Sequence, residues 1–270
     1  MNSFSNIAIV HKDSKKIQPI SIDLVAEEPL SIRVDGSPYA VVMRTPGDEI
    51  PHAAGFCLTE GIIDNPEDIS SLACCDNQDN CVVTVTLTAD RRKKNAGCVD
   101  RRGYISQTSC GICGKELIED ISKDIYPIVD DTAITFSDSI ACLENLFNHQ
   151  PLHQKTRSTH AALLIGTDST VWSSAEDVGR HNAVDKAIGK LFLNAHLVQA
   201  KILVLSSRIS YELVQKCARA RIPIILAVSR PTSLAVELAI RLNITLACLA
   251  PQSGIFVFCG GYRLLSDTVT

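Results

Sequence analysis

No apolar run in these 270 residues is long enough to cross a membrane. The opening residues, Met1-Asn2-Ser3-Phe4-Ser5-Asn6, have neither the basic nor the apolar region of a secretory signal. Both absences predict a soluble protein that stays in the cytoplasm, with no membrane partner. A basic excess is also missing: 26 Lys and Arg stand against 30 Asp and Glu, a formal net charge of −4. That balance argues against a general nucleic-acid binder. Internal repeats, low-complexity segments and long linkers are missing too. What the chain does have is apolar mass: hydrophobic residues make up 46% and charged residues 21%, which supports a sizeable core and excludes wholesale disorder.

Eleven cysteines cannot all pair within one chain, and a chain of this size needs no disulfide staples. Without an export signal, disulfides would not persist in a reducing compartment. Most of the thiols, such as Cys217 and Cys248 inside apolar runs, are therefore expected to be small core residues.

The first half reads as mixed α and β. Residues 30–34 and 39–43 flank Asp35-Gly36-Ser37-Pro38, a plausible hairpin turn. Residues 49–62 carry Ala53, Phe56, Cys57 and Ile62 near helical spacing, and residues 81–88 alternate as a strand. The polar stretch 89–108, with Arg91, Arg92, Lys93, Lys94, Arg101 and Arg102, reads as a loop leading into a cysteine pair. The second half is more regular. Strands are expected at 160–166, 170–174, 201–206, 222–229 and 244–249, and helices at 179–193, 210–220 and 233–242. That alternation predicts a parallel-containing sheet covered by helices. Tyr126-Pro127 interrupts the pattern, so the division is placed between residues 1–125 and 126–270.

The sharpest local feature is Thr108-Ser109-Cys110-Gly111-Ile112-Cys113-Gly114-Lys115. Two thiols at this spacing can share a metal, close a small disulfide ring or relay a sulfur atom. The basic residues upstream and a helix beginning near Leu117 would favour a thiolate, although a solvated basic loop explains those charges equally well. Zinc needs a second ligand pair; Cys74-Cys75 are adjacent, and Pro151 separates His149 from His153. A redox motif usually sits after a first strand in a small domain, whereas this one follows a long charged stretch. Deamination needs His-x-Glu before its cysteines. Here Ala162 takes the place of that Glu, and the cysteine pair precedes His160. A zinc-stabilised binding module and a thiol oxidoreductase stay open as alternatives to sulfur relay.

Residues 176–186, Glu-Asp-Val-Gly-Arg-His-Asn-Ala-Val-Asp-Lys, form a dense polar block at a strand-to-helix junction. Asp177 suits a helix N-cap, while Arg180, His181 and Lys186 suit an anion. Ser206-Ser207-Arg208-Ile209-Ser210 and Ser229-Arg230-Pro231-Thr232-Ser233 both follow apolar strands and precede helices. Ordinary capping explains each alone. Together they point to a shared anion-binding edge at the strand ends.

At this point the sequence resembles the FdhD/NarQ family of formate dehydrogenase accessory sulfurtransferases, over nearly its whole length. The matching segments are Arg44-Thr45-Pro46-Gly47-Asp48, residues 55–62, Ser109 with the cysteine motif, Thr159-His160-Ala161-Ala162, residues 176–189 and 206–212, and Pro231-Thr232-Ser233-Leu234-Ala235. The resemblance implies a cytidine-deaminase-like three-layer α/β domain with a mixed sheet, preceded by a smaller α+β domain, and a homodimer. It implies a persulfide on Cys110, with Cys113 as its partner, loaded by a cysteine desulfurase. The sulfur would pass to the molybdenum cofactor, bis-molybdopterin guanine dinucleotide, destined for formate dehydrogenase; no metal of the protein's own is implied. A C-terminal strand contacting that cofactor maps to Ile255, Phe256, Val257, Phe258, Cys259 and Gly260. His160, Arg180, His181, Ser207, Arg208 and Thr232 are the further residues expected to hold it. The chain departs from the family pattern at Arg157-Ser158, Ser207, Arg230 and residues 249–252.

Overall fold

Apolar side chains at every second position make strands of most of the first half. The computed structural model describes residues 3–14, 16–77, 80–95 and 125–267, so Cys110 and Cys113 lie outside the described residues. Strands β1 (Phe4–Lys12) and β2 (Ile17–Val25) form a two-stranded antiparallel arm. Strands β3 (Glu28–Val34) and β4 (Ser37–Arg44) form the expected hairpin. Its turn residues Asp35 and Gly36 both have positive φ, 50° and 81°. This suits a two-residue turn whose twist matches its strands. Helix α1 (Glu49–Thr59) follows, then β5 (Ile69–Asn77) and β6 (Asn80–Leu87). The four strands form a mixed sheet of order β4-β3-β6-β5.

The stretch after β6 differs from the expected loop, because its first residues form helix α2 (Ala89–Asn95). Arg91 is 5% exposed rather than solvated. Its guanidinium donates to the carbonyls of Gly61 and Ile62 and pairs with Asp64. Carbonyls just past the end of α1 lack helical donors, and a buried guanidinium with its five N–H groups supplies them.

The second half runs β7 (Ile134–Thr135), α3 (Phe136–Asn145), α4 (Pro151–Thr156), β8 (His160–Ile165), β9 (Val171–Asp177) and α5 (Arg180–Leu193). Then come β10 (Ile202–Leu205), α6 (Tyr211–Arg219), β11 (Ile224–Ala227), α7 (Ser233–Arg241), β12 (Thr245–Leu249), β13 (Ile255–Cys259) and β14 (Leu264–Leu265). Six of these strands form a sheet of order β13-β12-β11-β10-β8-β9. Only β10, β11 and β12 are mutually parallel, joined by the crossover helices α6 and α7. The central strands are buried on both faces, which explains their unbroken apolar runs. Leu203, Leu205, Ile225 and Leu246 pack in one cluster with α5, α6 and α7; Val204, Leu226 and Ala247 pack in another with Cys142 and Leu143 of α3. Leu30 and Val83 of the first sheet belong to the same cluster as Val184 and Leu246.

Two glycines set the approach of α1 to α5. A Cβ on Gly55 would lie 1.9 Å from the Asp185 carbonyl oxygen, and one on Gly189 would lie 1.8 Å from that of Pro51. Backbone meets backbone here, so no larger residue fits. Cys217 and Cys248 are buried core thiols, as their apolar surroundings predict. Among the described residues, no helix is long and apolar enough to cross a membrane.

Candidate anion-binding site

Three chain segments meet at one end of the six-stranded sheet. β8 runs antiparallel to both of its neighbours, so His160 at its start lies beside Asp177 at the end of β9 and the residues following β10. The strand ends are tied there: Ala161 N–H donates to Ser206 Oγ at 2.8 Å, and Ser206 N–H donates to the Ala161 carbonyl at 3.1 Å. Two helices begin at the same place. α5 has Gly179 as its N-cap and α6 has Ser210, and neither has a side-chain cap. His181 Nε2 lies 2.9 Å from Glu212 Oε2 and 3.3 Å from Ser210 Oγ, which holds the two helix starts side by side. First-turn N–H groups without a side-chain cap, at the positive end of a helix dipole, favour an anion.

The side chains left unpaired around this mouth are positive, or become so on protonation. Arg180, Arg208 and His160 have no hydrogen-bond or ion-pair partner among the described residues, and the Nε of Arg180 is buried without an acceptor. Burial, then the nearby Arg208, lowers the pKa of Arg180 from its ordinary value, with Glu212 opposing. His160 is held below the usual imidazole value by burial first, then by Arg180, His153 and His181, against Asp177. Glu212 is held below the usual carboxylate range, chiefly by its hydrogen bond with His181. Unpaired cations crowded in a partly dry site are the condition that an entering anion relieves.

Beneath the mouth, Asp177 anchors the chain, in a role different from the expected helix cap. Its Oδ1 accepts from Gly179 N–H (2.8 Å) and Asn182 Nδ2 (2.9 Å); its Oδ2 accepts from Thr45 N–H (3.1 Å) and Lys186 Nζ (2.7 Å). Lys186, expected to face an anion, is 1% exposed and also donates to the Thr45 carbonyl at 2.7 Å. Helical geometry separates these residues. Arg180 and His181 stand in the first turn at the mouth, whereas Lys186, more than a turn later, looks into the protein. Asp185, next to it, is likewise buried and pairs with Lys216 at 2.9 Å.

Of the predicted site residues, His160, Arg180, His181, Ser207 and Arg208 come together. Ser207 is 5% exposed and its hydroxyl donates to the Arg208 carbonyl. Thr232 sits one strand away, joined by the bridge between Ile209 and Pro231, and its hydroxyl accepts from Ala235 N–H as the cap of α7. The ordinary capping role is the one its side chain fills. On β13, Ile255 pairs with Leu249 and Cys259 with Leu246, so Ile255 and Phe256 lie at the mouth end of the sheet while Cys259 and Gly260 lie at the other. Val257 is exposed and Phe258 half-buried between them. Gly260 serves the fold: its φ is +66°, and a Cβ there would lie 2.5 Å from Thr245 Oγ1. Arg230 stands 5.3 Å from the ring centre of Phe256 and extends the cationic edge toward β13. Sequence reasoning missed Glu212 and His153 as neighbours of this site. An acid in the first turn of a helix is unexceptional in sequence, and only the fold brings it to His181. Pro151 opens α4, so His149 and His153 share no helix.

A model of the FdhD/NarQ family matches residues 25–265. The chain belongs to the FdhD/NarQ family. Family relatives include the sulfur carrier protein FdhD of Streptomyces coelicolor, 36% identical over 250 residues, which cover 89% of this chain and 88% of the relative. The sulfur carrier protein FdhD of Mycolicibacterium paratuberculosis is 38% identical over 251 residues, covering 89% and 91%. Among solved structures, a protein of Desulfotalea psychrophila, provisionally assigned as a formate dehydrogenase accessory protein, superimposes with a TM-score of 0.78. It is 25% identical, and the match covers 98% of this chain and 100% of that one.

Proposed function

We propose that this family member is a sulfur carrier for formate dehydrogenase maturation. In this reading Cys110, assisted by Cys113, accepts sulfur as a persulfide from a cysteine desulfurase. The sulfur then passes to bis-molybdopterin guanine dinucleotide. The relatives' name, sulfur carrier protein, supports the first half of the reading. The observation that carries the second half is the mouth itself, where Arg180, Arg208 and His160 stand without partners among the described residues beneath two helix ends that no side chain caps. A ligand with several phosphates supplies the missing acceptors. Phe256 beside Arg230 adds an aromatic face on which a guanine base can stack. A mixed sheet with helices on both faces supports a cytidine-deaminase-like layering for the second half, and a cytoplasmic homodimer completes the reading.

Mass spectrometry tests the sulfur step. After incubation with a desulfurase and cysteine, the peptide containing Cys110 gains about 32 Da, one sulfur atom, as a persulfide. Cys110→Ala removes that gain and abolishes transfer. A wild-type peptide that never gains the mass sinks the reading.

A further inference from the structure

We infer that ligand capture at the anion-binding mouth is coupled to proton uptake by His160, whose imidazole is neutral in the empty site and charged in the loaded one. The inference rests on the mouth being a phosphate site, and it adds how that site discriminates charge. His160 is half-buried at the start of β8, and its ring has no hydrogen-bond partner among the described residues. Arg180 and His181 face it from α5, His153 from α4 and Asp177 from β9; Arg208 and Glu212 stand behind Arg180.

The acids around the mouth are already engaged. Asp177 accepts from Lys186, Thr45, Gly179 and Asn182. Glu176 accepts from the N–H groups of Leu152 and His153 and from the Thr159 hydroxyl. Glu212 pairs with His181. The only acid acting on Arg180 is Glu212, already paired with His181, and Arg208 has no ion-pair partner among the described residues, so a further positive charge on His160 is opposed until an anion enters. The depressed pKa of His160, caused first by burial and then by these neighbours, agrees with that geometry. An entering polyanion reverses the electrostatic part and raises the value. Between the empty-site and loaded-site values, binding takes up a proton. Affinity falls as pH rises through the loaded-site value and levels off below the empty-site value, where both forms are charged.

Isothermal calorimetry with di(guanosine-5′) pyrophosphate tests this, because neither phosphate of that probe titrates near neutrality. Titrations in buffers of different ionisation enthalpy, over roughly pH 6 to 8 where imidazoles titrate, count the protons exchanged. The expected result is uptake approaching one proton per ligand, with affinity falling by up to ~10-fold per pH unit, the limit for a single proton. His160→Gln binds without uptake and with a flat pH profile, while His153→Gln and His181→Gln keep the uptake. Binding without proton uptake in the wild type overturns the inference and leaves the phosphate site standing. Uptake that persists in His160→Gln, or disappears in either other variant, also overturns it. No binding at any pH sinks both the inference and the phosphate-site reading. If His160→Gln fails to fold, NMR of the wild-type imidazole decides: its titration midpoint must rise on adding the probe, and an unmoved midpoint refutes the coupling.

Discussion

Replacing Lys186 with Met cuts one half of the ion pair beneath the anion-binding mouth. Lys186 and Asp177 are 1% and 0% exposed, and Nζ lies 2.7 Å from Oδ2 and 2.7 Å from the Thr45 carbonyl oxygen. Met keeps most of the side-chain volume, so the loss is electrostatic rather than a cavity. Asp177 retains the N–H groups of Gly179 and Thr45 and the amide of Asn182, but its charge is left buried without a counter-ion. Breaking a buried pair in this way costs about 3–5 kcal/mol. At ~2–4 °C of melting temperature per kcal/mol for a chain of this order, the midpoint should drop by roughly 6–20 °C. Urea unfolding followed by circular dichroism measures the loss. The double variant Lys186→Met with Asp177→Asn should lose clearly less than the sum of the two single variants, because the second change removes the stranded charge. Affinity for di(guanosine-5′) pyrophosphate should weaken in parallel, since Asp177 holds the N–H of Gly179 one residue before Arg180. A loss below about 1 kcal/mol for Lys186→Met, or strict additivity in the cycle, would refute the argument that this pair supports the mouth.

Gly55→Ala and Gly189→Ala each push a methyl group into a facing backbone carbonyl, so α1 and α5 must separate; either variant should lose at least ~1–3 kcal/mol in thermal unfolding. Arg208 is exposed and without a partner among the described residues, so Arg208→Ala should keep stability within ~0.5 kcal/mol of wild type. The same variant should weaken pyrophosphate binding by roughly tenfold to a hundredfold, as expected for losing a hydrogen bond between charged groups, and calorimetry reads both limits. Against burial, which raises it, Asp64 is held below the usual carboxylate range by hydrogen bonds and charges from Arg91 and Arg219. Its stabilising contribution is therefore present above the ordinary carboxylate pKa and is lost as pH falls through the lowered folded value. Acid unfolding of Arg219→Leu should show a shallower decline over that window than the wild type.

Periodicity alone made most of the second half legible. Apolar runs of four or five residues between helical segments define β10, β11 and β12, because strands buried on both faces have no polar side to alternate with. The hairpin of β3 and β4 was legible for a different reason, since Asp35-Gly36 is a pair that tolerates two successive positive φ values. α2 was not legible. Its run of Arg and Lys reads as solvated charge, and only the nearby end of α1 gives Arg91 a buried use.

The polar block at residues 176–186 marks the division most clearly. Its composition and its place between strand and helix were enough to locate a candidate anion site, and local chemistry also named Arg180, His181, Ser207 and Arg208. Which of the block's charges face a ligand was a tertiary decision. Asp177, two residues before the Gly179 cap, and Lys186, seven after it, look as exposed in sequence as their neighbours, yet the close approach of α1, permitted by Gly55 and Gly189, buries them against Thr45. Glu212 reaches His181 only because α6 returns to the sheet end where α5 begins. A sequence carries the type of charge at each position. Whether that charge is paired inside or left open for a ligand depends on the elements packed against it, and those come from distant parts of the chain.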